Sequence, residues 1–457
     1  MSQSTTPPPG LRRVTGKETR RASGIAFFAW TIAVYDFILF GTLLPRIEES
    51  FGWSTSHALL VSTLVSVGTA IVVLLVGPMV DKLGRRKGMI ISVGGTAASS
   101  AATAATFGAT SLIGVRAISG LGLAEQSVNA TYLNELYELT EDEKIKKRRG
   151  FVYSMVQTGW PAGALLAAGF VAIVTAIFGA DSWRIAFLLA TIPAVIVALV
   201  CRTLKESPQF EAQHAVKQLR KAGKHDEAEA LAAATATVEQ TSAPFKRIFT
   251  GKHLRNTVVL SLAWLLNWFA IQTFSVLGTT VLEKGKGIDA SSTLILVVLS
   301  NLVAVAGYLA HGWAGDRFGR RNTIAVGWLL SGLFFGAMLL GPSSQIFVLV
   351  TYMMGLFFLL GPYAAIMFFQ AECFDTDCRA TGSAFIGAMS QPGAIISGFI
   401  LTGLTAASVG YSTAALWVGA LGAIASAVIV LGARKVADTP PQAGVPAGPT
   451  TTAGAQA

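Results

Sequence analysis

The chain predicts an all-α membrane protein of twelve transmembrane helices in two pseudo-symmetric six-helix bundles. Three observations carry this prediction. First, 52% of the 457 residues are hydrophobic, only 13% are charged, and the mean hydropathy is +0.57. Soluble domains carry about 25% charged residues, so this much apolar surface calls for a bilayer. Second, the apolar residues fall into twelve runs near the roughly 20 residues that a spanning helix needs. Third, a charged, glycine-punctuated loop occurs twice, each time between two apolar runs. It reads Gly77-Pro-Met-Val-Asp81-Lys-Leu-Gly84-Arg85-Arg86 and then Gly312-Trp-Ala-Gly-Asp316-Arg-Phe-Gly319-Arg320-Arg321.

Residues 1–21 are polar, Pro-rich and basic, and predict a disordered tail with no cleavable signal peptide. Spans 1–6 are expected at 22–44, 57–80, 88–108, 110–137, 151–177 and 184–202, forming an N-terminal bundle over 22–202. Residues 203–253 are rich in Lys, Glu and Ala and predict a cytoplasmic linker with surface helices. Spans 7–12 are expected at 254–282, 291–315, 322–340, 345–370, 380–405 and 411–433, forming a C-terminal bundle over 254–434. Residues 435–457 have the composition of a disordered tail.

Lys and Arg crowd the N-terminal tail, the loops after spans 2, 4, 6, 8 and 10, and the end of span 12. The positive-inside rule places these segments and both termini in the cytoplasm of a multi-pass cell-membrane protein. The net charge of +10 is therefore read as a topology signal, and no nucleic-acid partner is expected. Cys201, Cys373 and Cys378 are expected to be reduced. They lack a Cys-x-x-Cys spacing or a nearby His, so neither a metal site nor a cofactor is expected.

The repeated loop resembles the G-x-x-x-D-[RK]-x-G-R-[RK] loop of the major facilitator superfamily of secondary transporters. The resemblance implies that it latches the outward-facing state. Gly77, Asp81, Gly84, Arg85 and Arg86 would act in the first copy, and Gly312, Asp316, Gly319, Arg320 and Arg321 in the second. Span 4 reads Arg116-Ala-Ile-Ser-Gly120-Leu-Gly122-Leu-Ala124-Glu125 and continues to Tyr132-Leu-Asn-Glu135. This is similar to the R-x-x-x-G-x-G-x-G…Y-x-x-E pattern of sugar and metabolite symporters, with Ala124 at the third glycine. Tyr35-Asp36-Phe-Ile-Leu-Phe-Gly41 resembles the Y-D-x-x-x-[FY]-G segment of aromatic-acid and metabolite proton symporters. Ala33 stands where the aromatic-acid family has its first Asp. Lys205-Glu206-Ser207-Pro208-Gln209-Phe210 is similar to the family's P-E-S-P-R-[FW]. The segment from Ala371-Glu372 through Arg379 to Gly382 is similar to its A-E-x-F-P-T-x-x-R-x-x-G, which adds Glu372 and Arg379 to the gating set.

Charges inside apolar spans are costly and face a partner or a polar path. Asp36 is about 20 Å up span 1 at 1.5 Å per residue, and Arg116 is about 8 Å down span 4 from the other surface. In a core of about 30 Å they reach similar heights. They are expected to pair and to couple proton binding to transport, with Arg116 near an outer cavity where it attracts an anion. A permanent packing pair is the bland alternative. Glu125 lies about 13 Å further in, as a second proton site, a substrate-side group or a structural carboxyl. Glu135 is expected to join the gating network with Arg148 or Arg149.

The candidate substrate-binding residues are the polar and aromatic side chains of the remaining spans. They are Tyr35, Asn129, Gln157, Trp160, Asn267, Trp268, Gln272, Asn301, Tyr363 and Gln391. Pro161 and Pro392 neighbour Trp160 and Gln391 and are expected to bend spans 5 and 11 around a central site. The resulting expectation is a non-enzymatic, monomeric, proton-coupled symporter importing a small organic anion, such as an aromatic carboxylate, by alternating access. The alternatives are a sugar or polyol symporter, an exporter of drugs or metabolites, and a transporter-like sensor. Span 7 lacks the sugar-porter Gln-Gln pair, and span 5 lacks the antiporter G-x-x-x-G-P-x-x-G-G run.

Overall fold

The computed structural model describes residues 11–147, 149–179, 181–235, 244–374 and 378–434. The expected disordered tail at 435–457 lies outside them. Span 1 is one helix, Gly16–Phe51, starting earlier than composition suggested. Thr15 caps it by accepting a hydrogen bond from the Glu18 N–H at 3.2 Å, and Arg20 pairs with Asp142 at 2.6 Å. These local bonds order residues whose polarity reads as a loose tail.

Spans 2 and 3 are Thr55–Leu83 and Arg85–Thr103, and span 4 is Ala109–Ala117 followed by Gly120–Leu139. Span 5 is Arg149–Gln157 followed by Gly159–Phe178, and span 6 is Trp183–Cys201. Helices Pro208–Lys221, His225–Ala234 and Pro244–Ile248 connect the halves. Span 7 begins as Gly251–Ala270 and continues through two π turns, Ile271–Val276 and Val281–Gly285. Spans 8 and 9 are Ala290–Phe318 and Arg320–Leu340. Span 10 is Gln345–Leu360 and Tyr363–Glu372, and span 11 is Arg379–Ala388 and Ser390–Ala406. Span 12 runs from Tyr411 to Val430 with a π turn at Leu416–Ala420.

Ten of these helices are long and apolar enough by composition alone to cross a membrane. Spans 3 and 4 are the exceptions. Span 3 is rich in Gly, Ser and Thr, and span 4 carries Arg116, Glu125 and Asn129 along an interrupted path. Their polar groups are turned into the bundle, where Asn129, Glu125 and Arg116 are buried.

The breaks repeat between the halves, in spans 4 and 10 and in spans 5 and 11. Proline has no N–H, so Pro161, Pro362 and Pro392 each remove one bond of the helical ladder. Close packing repeats as well. A Cβ on Gly163 of span 5 would lie 2.6 Å from the Thr31 carbonyl of span 1, and one on Gly393 of span 11 would lie 2.5 Å from the Leu265 carbonyl of span 7. Only glycine permits this backbone contact. It fixes span 1, with Asp36, and span 7, with Trp268, against the bent helices.

Candidate functional site

Asp36 and Arg116 are in direct contact. Arg116 Nη2 is 3.1 Å from Asp36 Oδ2, and Nη1 donates to Oδ1 at 3.2 Å. Nη2 also donates to the Asp36 carbonyl at 3.0 Å, and the Ser100 hydroxyl donates to Oδ1. The rings of Phe40 and Phe187 cover the guanidinium at 5.3 and 5.2 Å. The two residues are 2% and 1% exposed. Spans 1, 3, 4 and 6 thus enclose the pair inside the first half. Arg116 is not displayed where it could draw in an anion directly, contrary to the expectation from its height in span 4. The physical reason is that two charges so far from water are tolerable only when held against each other.

Glu125 is fully buried one helical segment further along span 4. Asn129 Nδ2 donates to its Oε2 at 2.8 Å, and its Oε1 has no protein partner. Asn129 Oδ1 accepts from the Tyr153 hydroxyl at 3.4 Å, Tyr153 accepts from Gln157 Nε2 at 2.6 Å, and Gln157 Oε1 accepts from Gln126 Nε2 at 2.9 Å. Two predicted substrate residues, Asn129 and Gln157, therefore belong to one polar chain. Its links Tyr153 and Gln126 were missed, because one hydroxyl and one amide in apolar spans carry no pattern of their own.

Trp160 is the aromatic junction of the molecule. Its ring centroid lies 6.1 Å from Trp30, 6.2 Å from Phe37 and 5.9 Å from Trp268, so it joins span 1 to span 7 across the two halves. The indole N–H groups of Trp160, Trp268 and Trp30 have no protein acceptor. Gln272, one turn beyond Trp268, sits in the first π turn with its Oε1 unpaired. Such turns cluster at functional sites. In the second half, Tyr363 donates to Asn267 Oδ1 at 3.2 Å, and its ring packs on Trp264 at 4.9 Å and Tyr308 at 6.4 Å. Asn267 Nδ2 has no partner. The remaining predicted contacts stand apart from this junction. Tyr35 packs on Phe170 at 5.7 Å, Asn301 donates to the Val297 carbonyl of its own helix at 2.9 Å, and Gln391 is half-buried in span 11.

The halves are tied together at the end opposite the chain termini. Arg46 Nη2 and Glu283 Oε1 are 2.9 Å apart, and Lys284 Nζ and Glu48 Oε1 are 3.1 Å apart. The Thr279 hydroxyl donates to the Gly41 and Thr42 carbonyls at 3.2 Å, and Ser56 donates to Thr405 at 3.3 Å. These far-end groups were absent from the sequence-based site, although charges gather at the outer ends of spans 1 and 7. Reversing one charge, Glu283→Arg, is expected to separate the far end. The double reversal Arg46→Glu with Glu283→Arg is expected to close it again. A coupling of roughly 1–3 kcal/mol corresponds to about 5–150-fold in conformer ratio. Spin-label distances across the far end would read it.

At the terminal end, the described side chains of each repeated loop bind within their own half. Gly84 and Gly319 turn the chain with φ of 102° and 88°. Arg85 pairs with Glu135 at 3.1 Å, and its guanidinium lies 5.2 Å from the Phe210 ring. The backbone N–H groups of Arg85 and Arg86 donate to Glu206 at 2.9 and 3.1 Å, and Ser207 donates to Glu135. In the second copy Arg320 pairs with Glu372 at 2.5 Å, and Arg321 donates to the Ala433 carbonyl at 3.2 Å. The expected partner of Glu135 is corrected accordingly. Arg149 instead approaches Glu138 at 3.7 Å, three residues beyond Glu135 in span 4. Arg148 and the side chains of Gly77, Asp81, Asp316 and Arg379 lie outside the described residues; the helical backbone at Gly312 continues span 8.

Comparison with known proteins agrees with this architecture. The family described as "Sugar (and other) transporter" matches residues 21–433. A niacin transporter of Acinetobacter baylyi is 23% identical over 417 residues, covering 88% of this chain and 91% of that one. A gallate transporter of Pseudomonas putida is 25% identical over 395 residues, covering 82% and 85%. A gentisate transporter of Corynebacterium glutamicum is 26% identical over 335 residues, covering 69% and 66%. Among solved structures, a D-xylose-proton symporter superposes with a TM-score of 0.67 at 16% identity, covering 90% of this chain and 97% of that chain. That likeness concerns the fold. With a profile match over most of its length and the twelve-helix architecture, the chain belongs to the sugar (and other) transporter family of the major facilitator superfamily, and it is a multi-pass membrane transporter rather than an enzyme.

Proposed function

We propose that this transporter is a proton-coupled symporter that imports a small organic anion, an aromatic or related metabolite carboxylate, across the cell membrane. The observation that carries the reading is the junction at Trp160. Four aromatic rings from both halves meet there, and three of them offer indole N–H donors that no protein group accepts. Flat rings stack on such a surface, and unpaired N–H groups favour an acceptor such as a carboxylate. Relatives named as niacin, gallate and gentisate transporters support this substrate class. Asp36 is the first coupling residue. Its protonation would release Arg116 and change the packing of spans 1 and 4. With the basic end in the cytoplasm, the far end is the outer one, and it is closed here. The chain works as a monomer, with Gly312 and the rest of the repeated loops closing the terminal end in the alternate form.

The test uses proteoliposomes with an internal pH dye, supplied with nicotinate, gallate, gentisate or xylose. Internal acidification with an aromatic carboxylate, absent from Asp36→Asn and from empty vesicles, is the expected result. Acidification with xylose alone would replace the reading with sugar symport. Uptake without acidification would remove the proton.

A further inference from the structure

Glu125 is an acidic group with no counter-charge, and the proton-coupling pair does not explain it. Its only described hydrogen bond comes from Asn129. The titratable groups around it are half-buried Tyr153 from span 5 and buried Cys201 from span 6, in the terminal half of the first bundle. Among the described residues, spans 1, 2 and 3 bring no basic side chain within ion-pair distance of it. Arg85 is engaged with Glu135, and Arg116 with Asp36. An ionised carboxylate without a cation is very costly in such a place, so the group holds a proton when the surroundings are as described.

The chain that ends at Glu125 has a direction. Gln126 donates to Gln157, Gln157 donates to Tyr153, Tyr153 donates to Asn129, and Asn129 donates to Glu125. Gln157 lies three residues before Trp160, at the break in span 5. Each terminal amide of the two glutamines retains a second N–H. An anion that accepts from Gln157 or Gln126 therefore adds negative charge at one end of a polarised chain and disfavours negative charge at the other.

We propose that Glu125 is a second proton-carrying residue, separate from the Asp36–Arg116 pair, whose proton is linked to the bound anion through the Gln157–Tyr153–Asn129 chain. The inference rests on the anion-symport reading above. One proton enters with the substrate at Asp36 and another forms an O–H bond on Glu125. Both leave for water only when the terminal end opens far enough to hydrate Glu125, and Glu125 takes up a proton from the far side before it is again sealed from water as described. Two protons with one monovalent anion move one net positive charge, so uptake becomes electrogenic.

Two measurements on the full-length protein test this. In the infrared, the ligand-free transporter is expected to show the carbonyl band of a protonated carboxyl, lost in Glu125→Gln and kept in Asp36→Asn. A band unchanged by Glu125→Gln, or no such band, overturns the inference whatever the substrate. In proteoliposomes given nicotinate, gallate and gentisate, an inside-negative potential from a tenfold potassium gradient should raise wild-type accumulation about tenfold for one net charge. Glu125→Gln should accumulate the same acid in response to pH but not to potential. An unchanged response to potential in Glu125→Gln refutes the second proton while leaving anion symport standing. If none of the three acids accumulates in the wild type, it is the symport reading that fails, and the infrared band still decides the state of Glu125. Tyr153→Phe keeps Glu125 but cuts the chain. It should retain the band and lose its shift on addition of the transported acid, and a shift of wild-type size overturns the linkage.

Discussion

Arg116→Ala is expected to abolish accumulation and to destabilise the folded transporter by about 3–5 kcal/mol, the usual cost of breaking a buried ion pair from one side. The substitution removes two hydrogen bonds to the Asp36 carboxylate and carbonyl, and strips the cation from between Phe40 and Phe187. Among the described residues, it leaves a carboxylate with a side-chain hydrogen bond from Ser100 alone. Arg116→Lys should rescue little, since one ammonium cannot repeat a fork that reaches both a side chain and a backbone oxygen. Asp36→Asn with Arg116→Met removes both charges and should recover most of the stability while remaining inactive. Thermal melts of the single and double variants give the coupling by a double-mutant cycle. A double variant that accumulates its substrate against a gradient would remove the pair from the coupling mechanism.

Gly41→Val is expected to hold the far end open. Gly41 of span 1 lies against the Val276 carbonyl in the π turn of span 7, and a Cβ there would overlap that oxygen. Thr279, further along span 7, donates to the Gly41 carbonyl, so moving span 1 away from Val276 also loses that bond. Overpacking of this kind costs about 1–3 kcal/mol, which corresponds to a shift of roughly 5–150-fold between conformers. The variant should still bind ligand presented from the far side, while its uptake falls at least about tenfold. A thiol placed at Ser56, which now faces Thr405, should become more reactive to an impermeant reagent. Uptake at the wild-type rate would show that the halves close elsewhere.

Ten of the spans were legible as long apolar runs and spans 3 and 4 as weaker runs between them, and the duplication was legible because Gly84-Arg85-Arg86 and Gly319-Arg320-Arg321 stand alike in both halves. Pro161 and Pro392 marked the breaks in spans 5 and 11 through the missing N–H. The contact of Asp36 with Arg116 was anticipated by helix rise together with the family resemblance of spans 1 and 4, since a buried charge needs a partner at its own depth. What the sequence did not carry was azimuth. Rise places Arg116 at a height, but Phe187 and Ser100 decide that it faces the inside of its own half. Likewise Tyr153 joins Asn129 to Gln157 only because spans 4 and 5 present those faces to each other. Pairings across the halves, such as Trp160 with Trp268 and Arg46 with Glu283, depend on how two six-helix units sit together. No local period encodes that.

The hydrogen bonds and ion pairs described for the two basic loops have a mechanical consequence. Arg85 is bound to Glu135 and Arg320 to Glu372, so each clamp stiffens the half it belongs to. Each half can then act as a lever. The hinge stiffness resides in the thin layer where spans 1 and 7, 2 and 11, and 5 and 8 touch. If the ligand binds at Trp160 as proposed, its load is delivered to that layer instead of being absorbed by bending within a half. Substitutions inside a clamp should therefore soften the lever and make the stroke less complete, whereas substitutions in the layer should change where the stroke comes to rest.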